Sequence, residues 1–302
     1  GDEEGCRQLL PVARRLLGFL SSCADSQGLI SAWPAGQFWD WAPIEGQGCL
    51  LLTNAFYGWA LSRLAGDVLF RETLGDDLES RADGVRASAH GRFWDSSHGL
   101  YRDALASADR TPIFSQHANS LAVLAGVCPV AERAALMRRI IDPARLGPVP
   151  VGEHSLNDQN RPDPEHIVPV GTLWFGHFLC EALFEVGLDE DALAQVRLLW
   201  GPYDALPTFP ETRQSAGNTT QCHGWAVGPA YLLPAYVLGV RPIAPGWGRF
   251  TVVPHCGDLD SAGGCIPTPA GPITVRWRRG SKGISSLVVN APRGIHYEET
   301  TL

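Results

Sequence analysis

No run of apolar residues in this 302-residue chain is long enough to cross a bilayer, so a helical membrane span is excluded. Cations are scarce: 24 Lys and Arg stand against 32 Asp and Glu, a net charge of -8. Phosphate backbones demand clustered Lys and Arg, and this balance argues against a nucleic-acid partner. The one dense run, Arg276, Arg278 and Arg279 around Trp277, reads as the outward side of a strand. Among eight cysteines there is no CxxC pair and no Cys/His ligand spacing, and no metal is expected. Several of the cysteines lie in apolar helical runs, where buried free thiols are usual, while Cys256 and Cys265 could pair across a turn. The GxSxG, HExxH, Walker and Rossmann fingerprints are missing, and no nucleotide cofactor is expected. A leading Gly without a secretory h-region reads as a processed, engineered or fragmentary chain, and leaves the compartment undecided.

What is present is a rhythm. Three times a long loop rich in Trp, Asp and Glu runs into a nearly all-apolar helix, and a short turn then leads to an amphipathic one. The apolar helices are expected near 49–64, in HANSLAVLAGV and in GTLWFGHFLCEALFEVG, with a fourth near 222–238. The amphipathic partners are expected after Ala65-Gly66-Asp67, with Leu74, Leu78, Ala82, Val85 and Ala89 on one face, in VAERAALMRRII and in DEDALAQVRLLW. A further amphipathic helix over Cys6–Leu20 opens the chain, with Leu9, Leu10, Ala13, Leu16, Leu17 and Leu20 on one face. Helices apolar all round belong inside and amphipathic ones outside. Short turns at one end and long loops at the other then describe an α/α toroid over residues 1–240, with every long loop at the same end. After Gly239, Pro and Gly become frequent and the runs 249–253, 273–278 and 285–289 alternate as strands do, indicating a small antiparallel β-sandwich over 241–302.

Three clusters carry the chemistry. In Phe38-Trp39-Asp40-Trp41-Ala42-Pro43-Ile44-Glu45, two tryptophans flank an acid. Aromatic faces stack on the C–H face of a sugar and a carboxylate takes its hydroxyls; a loop anchored by buried tryptophans is the plainer alternative. In the second cluster Glu211 precedes Gln221-Cys222-His223-Gly224-Trp225, placing a candidate base beside His223 and Trp225. The third joins Trp94-Asp95, Tyr101-Arg102-Asp103 and Gln116-His117; here Asp95 and Asp103 read more readily as caps of local turns. Trp174, in the first turn of an apolar helix, could face either the site or the core.

At these residues the chain resembles the α-L-rhamnosidases of glycoside hydrolase family 78. The likeness is most specific through PVGTLWFGHFLCEALFEVG, LLWGPYDALPTFPE and the stretch from TQCHGWAVGPAYLLPAY to ITVRWRR. It implies an (α/α)6 barrel closed by a β-sandwich and inverting hydrolysis of terminal rhamnose. Carried over, the general base is Glu211, the sugar-contacting His is His223, and the aromatic/acid pair is Asp40 and Trp41. Trp39, Trp225, Trp174 and Gln116 complete the expected sugar-binding set. The family's general-acid motif has no counterpart here, and four inner helices are visible where the resemblance implies six. The toroid therefore reads as incomplete, with a companion chain or an N-terminal region supplying the rest. Glu45 is the best local substitute acid. Two other readings stay open: a carbohydrate-binding or scaffold fragment without catalysis, and another toroid enzyme such as an unsaturated-uronyl hydrolase or lyase, for which only Arg102 and Arg213 lie in suitable loops.

Overall fold

The computed structural model describes residues 2–105, 111–150, 156, 161–213, 219–281 and 283–299. Helix α1, Glu3–Ser22, is capped by the Asp2 carboxylate, which accepts from the Gly5 N–H. β1 (Cys49–Leu50) leads straight into α2 (Leu51–Ala65). The single helix expected next is two, α3 (Val68–Leu74) and α4 (Leu78–Phe93). Gly75, at φ 123°, breaks them in a conformation that L side chains rarely adopt. Four two-residue strands follow: β2 (Trp94–Asp95), β3 (Leu100–Tyr101), β4 (Ala104–Leu105) and β5 (Phe114–Ser115). Then come α5 (Gln116–Leu124), α6 (Val130–Ile140), β6 (Ile167–Val168), α7 (Leu173–Glu185) and α8 (Asp189–Trp200).

α2 packs on α4, α5 on α6 and α7 on α8, while α5 lies between α2 and α7. This is the apolar-inside, amphipathic-outside pairing that hydrophobic periodicity requires. α7 buries Leu173, Phe175, Leu179, Cys180, Leu183 and Phe184, and each large side chain contributes roughly 1.5–3 kcal/mol relative to exposure. α1 differs from its amphipathic expectation in one respect. Its apolar stripe Leu9, Val12, Leu16 and Phe19 is exposed, because α1 touches the rest mainly through α3. The fourth apolar helix is short and irregular: α9 (Pro229–Leu232) passes into a π-turn over Leu233–Val237. Pro234 has no N–H to complete an i→i−4 ladder, which accounts for the widened turn.

The short strands join the loops in series. β1 pairs with β4, β5 runs parallel to β6, and Thr172 bridges to Thr212. The loops entering α2, α5 and α7, and the loop before α9, are thus fastened to one another at the same helix ends. Two asparagines in the first turns of α2 and α5 do the same work. Asn54 accepts from Ile30 N (2.7 Å) and donates to Ile30 O (3.3 Å) and Leu50 O (2.8 Å). Asn119 accepts from Tyr101 N (2.8 Å) and donates to Tyr101 O (3.0 Å) and Ser115 O (2.9 Å). Each side chain ties off a helix carbonyl and pairs with a loop residue as a strand would.

From Val240 the chain forms two three-stranded sheets. β7 (Val240–Pro242), β8 (Arg249–Val252) and β12 (His296–Glu298) make one, in the order β12-β8-β7. β12 runs parallel to β8, not antiparallel as expected, because it returns from the far side of the second sheet to the free edge of β8. β9 (Ser261–Ile266), β10 (Ile273–Gly280) and β11 (Gly283–Asn290) make the other, antiparallel, in the order β11-β10-β9. β10 alternates as expected, burying Ile273, Val275 and Trp277, and the Trp277 indole donates to Val237 O at 2.8 Å, anchoring this sheet to the helices. β9 escaped the alternation test because Gly263 and Gly264 carry no side chain to pattern. Cys256 and Cys265 do not pair; both are free thiols, as are the buried Cys23, Cys49, Cys128 and Cys180.

Removing the Asn119 amide strands a buried N–H and C=O at Tyr101, each costing about 1–3 kcal/mol. Asn119→Ala is expected to lower the unfolding free energy by about 2–4 kcal/mol in urea titrations. A loss under about 0.5 kcal/mol, the range of neutral surface changes, would refute this role.

Candidate active site

The site is built where the loops meet. Asp40 is 3% exposed and its carboxylate is used entirely within the protein. Oδ2 lies 2.6 Å from His117 Nε2 and accepts from the N–H groups of Gly171 (2.9 Å) and Thr172 (3.3 Å); Oδ1 accepts from Trp41 N (2.8 Å). His117 is in the first turn of α5 and Thr172 is the N-cap of α7, so one carboxylate joins three elements. Burial alone would raise the Asp40 pKa, but the donors from His117, Thr172 and Gly171 outweigh it and leave it lowered. Gly171 is required by the close approach: a Cβ there would sit 2.0 Å from the Trp41 carbonyl oxygen.

Trp41 carries the contact outward. Its indole N–H donates to Glu211 Oε1 at 2.8 Å, while Phe38 meets the ring edge-on at 4.6 Å. Glu211 is fixed by its own loop as well, its N–H bonding Thr220 O (2.8 Å) and its Oε2 lying 3.4 Å from Thr220 N. His223 Nδ1 is 4.0 Å from Glu211 Oε2, and the His223 N–H bonds Phe209 O. The Trp41 hydrogen bond, the Thr220 N–H and the nearby His223 hold the Glu211 carboxyl below its ordinary value against partial burial. At neutral pH Glu211 is an accessible carboxylate, 19% exposed at its side chain.

Beside it runs a continuous aromatic surface. Trp225, 66% exposed, meets His223 edge-on and lies 5.5 Å from Trp174. Trp174 contacts Phe178, which packs on Phe56, and Phe56 stacks with both Trp39 and Trp59. An ionised carboxylate with an aromatic wall suits a ligand that has both hydroxyls and an apolar face.

Residues 239–298 match the bacterial α-L-rhamnosidase C-terminal domain. A family 78 rhamnosidase from Bacillus sp. GL1 is 25% identical over 99% of this chain and 31% of its own, with a TM-score of 0.79. The likeness to the family model is confined to 239–298, while the likeness to the Bacillus structure extends over nearly the whole chain and covers the carboxy-terminal domain within it. The Streptomyces avermitilis α-L-rhamnosidase complexed with L-rhamnose (18% identity, 99% of this chain, 27% of its own, TM-score 0.68) shares the fold. So does the α-L-rhamnosidase from Dictyoglumus thermophilum (18%, 99% of this chain, 32% of its own, TM-score 0.68). The chain thus spans less than a third of the length of these three structures. No curated protein matches it.

The expected site residues divide in two. Trp39, Trp41, Trp174, His223, Trp225 and Glu211 are half-buried or exposed and lie along the aromatic surface or at its carboxylate. Asp40, Gln116 and Glu45 are buried. Gln116 spans two loops, donating to Ile140 O (2.9 Å) and accepting from Val170 N (3.0 Å), so it braces the site rather than facing it. Glu45 is held by Arg161 Nη2 at 2.7 Å, well inside the loop layer. Asp95 closes a turn as expected, taking the N–H groups of Ser97 and His98 and the Arg102 guanidinium. His117 stood in the sequence only as a neighbour of Gln116. Its partner Asp40 is 77 positions away, and no spacing rule links them.

Asp103 has a distinct character. It is buried, accepts from Ser115 Oγ at 2.7 Å through Oδ1, and its Oδ2 makes no close hydrogen bond among the described residues. Burial, partly offset by Ser115 and reinforced by the nearby Glu45 charge, pushes its pKa up to about 7. The folded chain therefore keeps a proton that the unfolded chain releases near pH 4. This stabilises the fold fully below about pH 4 and is lost as pH rises through about 7. Asp103→Asn is expected to remove that slope and to gain on the wild type by up to about 4 kcal/mol at pH 8 relative to pH 4. Parallel stability–pH curves for the two proteins would contradict it.

Proposed function

We propose that this chain forms part of the catalytic unit of an inverting α-L-rhamnosidase, with Glu211 as general base. In this reading residues 1–240 are an arc of an α/α toroid and 241–302 a β-sandwich packed against it. The observation that carries it is the Trp41–Glu211 hydrogen bond, which joins the first aromatic loop to the Glu211–His223 loop at one mouth. Trp39, Trp41, Trp174 and Trp225 would receive the ring and methyl group of a terminal α-linked rhamnose or similar deoxy sugar, and His223 a hydroxyl. Glu211 would take a proton from water as that water attacks the anomeric carbon. An acid on the opposite face would protonate the leaving oxygen, the two carboxyls standing roughly 6.5–9.5 Å apart to admit the water. Asp40 holds the loop and does not touch the sugar. Glu45 is engaged by Arg161 and is not the acid of choice, so the reading needs a second carboxyl from a companion chain or from further polypeptide that completes the ring. The Streptomyces relative solved with L-rhamnose supports the choice of sugar.

A lyase acting on uronates fits less well. Arg102 is paired with Asp95, and Arg213 is largely enclosed with its Nη1 on Val170 O, so neither guanidinium is free to hold a substrate carboxylate.

Glu211→Gln, made in the assembled enzyme that includes the acid-bearing part, is expected to lower kcat on an aryl α-L-rhamnoside by about 10²–10⁴-fold. Wild-type turnover by that variant would remove Glu211 from the mechanism. Calorimetric binding of L-rhamnose without turnover by the wild type would favour a binding module.

A further inference from the structure

We propose that buried His117 is a positioning residue for Glu211, acting through Asp40 and the indole of Trp41. The proposal builds on Glu211 as the working carboxylate, but it concerns how that carboxylate is held and is read without any turnover.

The path is continuous in hydrogen bonds. His117 is fully buried and its Nε2 is 2.6 Å from Asp40 Oδ2. Its Nδ1 is also buried and has no partner among the described residues. A proton on Nδ1 would be left without an acceptor, so the hydrogen-bond network places the ring proton on Nε2, where it donates to Asp40. The ring is clamped by Phe175 of α7, with centroids 4.5 Å apart. Asp40 has no freedom of its own, since its remaining acceptor sites take the N–H groups of Gly171, Thr172 and Trp41. With its backbone N–H fixed there and its carbonyl pressed against Gly171, Trp41 directs its indole N–H at Glu211.

Leaving a buried ring nitrogen unbonded is unfavourable, and the fold retains this arrangement. A purely structural role for His117 would be served by any packing that keeps α5 and α7 together. The placement of its single donor on the carboxylate that also fixes Trp41 is what ties it to the site. Loss of that donor takes the shortest of the four hydrogen bonds from Asp40, loosens the anchoring of Trp41, and weakens the indole hydrogen bond to Glu211.

The test reads Glu211 through Trp41. The Trp41 indole ¹H–¹⁵N resonance, assigned by its disappearance in Trp41→Phe, is followed against pH in the wild type and reports the ionisation of Glu211. His117→Phe keeps the ring and removes the donor; it is expected to raise the midpoint by about one pH unit and to move the resonance toward that of an unbonded indole. His117→Gln, whose amide N–H reaches where Nε2 stands, is expected to restore both. Asp40→Asn serves as the second variant if His117→Phe does not fold, and is expected to displace the same resonance. An unchanged resonance and midpoint in a folded His117→Phe or Asp40→Asn protein would overturn the proposal. If the midpoint moves while Glu211→Gln leaves hydrolysis intact, the positioning path stands and the glycosidase reading falls; if Glu211 is essential and the midpoint does not move, only the path falls.

Discussion

A carboxylate removed from water must find its donors inside the protein, and Asp40 finds them on three separate elements. An ionised group in a low-dielectric setting is costly unless every lone pair is engaged. The start of α5, the start of α7 and the Trp41 loop therefore have to occupy fixed relative positions for Asp40 to be buried at all. The site inherits its geometry from that requirement. Trp41 lies between the buried carboxylate and the accessible one, and its two N–H groups serve one each.

The same logic extends around the loop layer. Asn54 and Asn119 supply paired donors and acceptors to loop backbones that have too little strand around them to satisfy one another. The two-residue strands and the Thr172–Thr212 bridge add single rungs in the same layer. None of these contacts is strong alone. Together they make the loop end of the helical pairs a hydrogen-bonded sheet of turns from which a few aromatic rings and the Glu211 carboxylate face outward. The acids of this layer are thereby sorted by surroundings: Asp40 is held ionised by donors, Asp103 is pushed toward its protonated form by burial, and Glu211 stays ionised at the opening.

Much of this was legible in the residues. The apolar helices 51–65 and 173–185, the amphipathic 189–200 and the alternating strands 249–252 and 273–280 obey their periods closely, because each packs one face or all faces against a neighbour. The break at Gly75 and the irregular segment after Pro229 were not legible, since single Gly and Pro residues compete with a strong helical pattern. Of the candidate site, the tryptophans, Glu211 and His223 could be chosen because the long loops that carry them all precede inner helices and so share one end, and because the family likeness runs through them. Asp40 could be chosen for the same reason, but not its burial.

Sequence alone determined which segments are apolar throughout, which have a wet face, and where long loops must interrupt them, because period and composition are local properties of the chain. It also carried the family likeness. Tertiary structure decided which polar side chain meets which: that Asp40 faces inward to His117, that Glu45 is taken by Arg161, and that Trp41 reaches Glu211 across 170 positions. Those pairings depend on how loops from distant helices come together in three dimensions, and a hydrogen bond a few ångströms long leaves no trace in residue spacing.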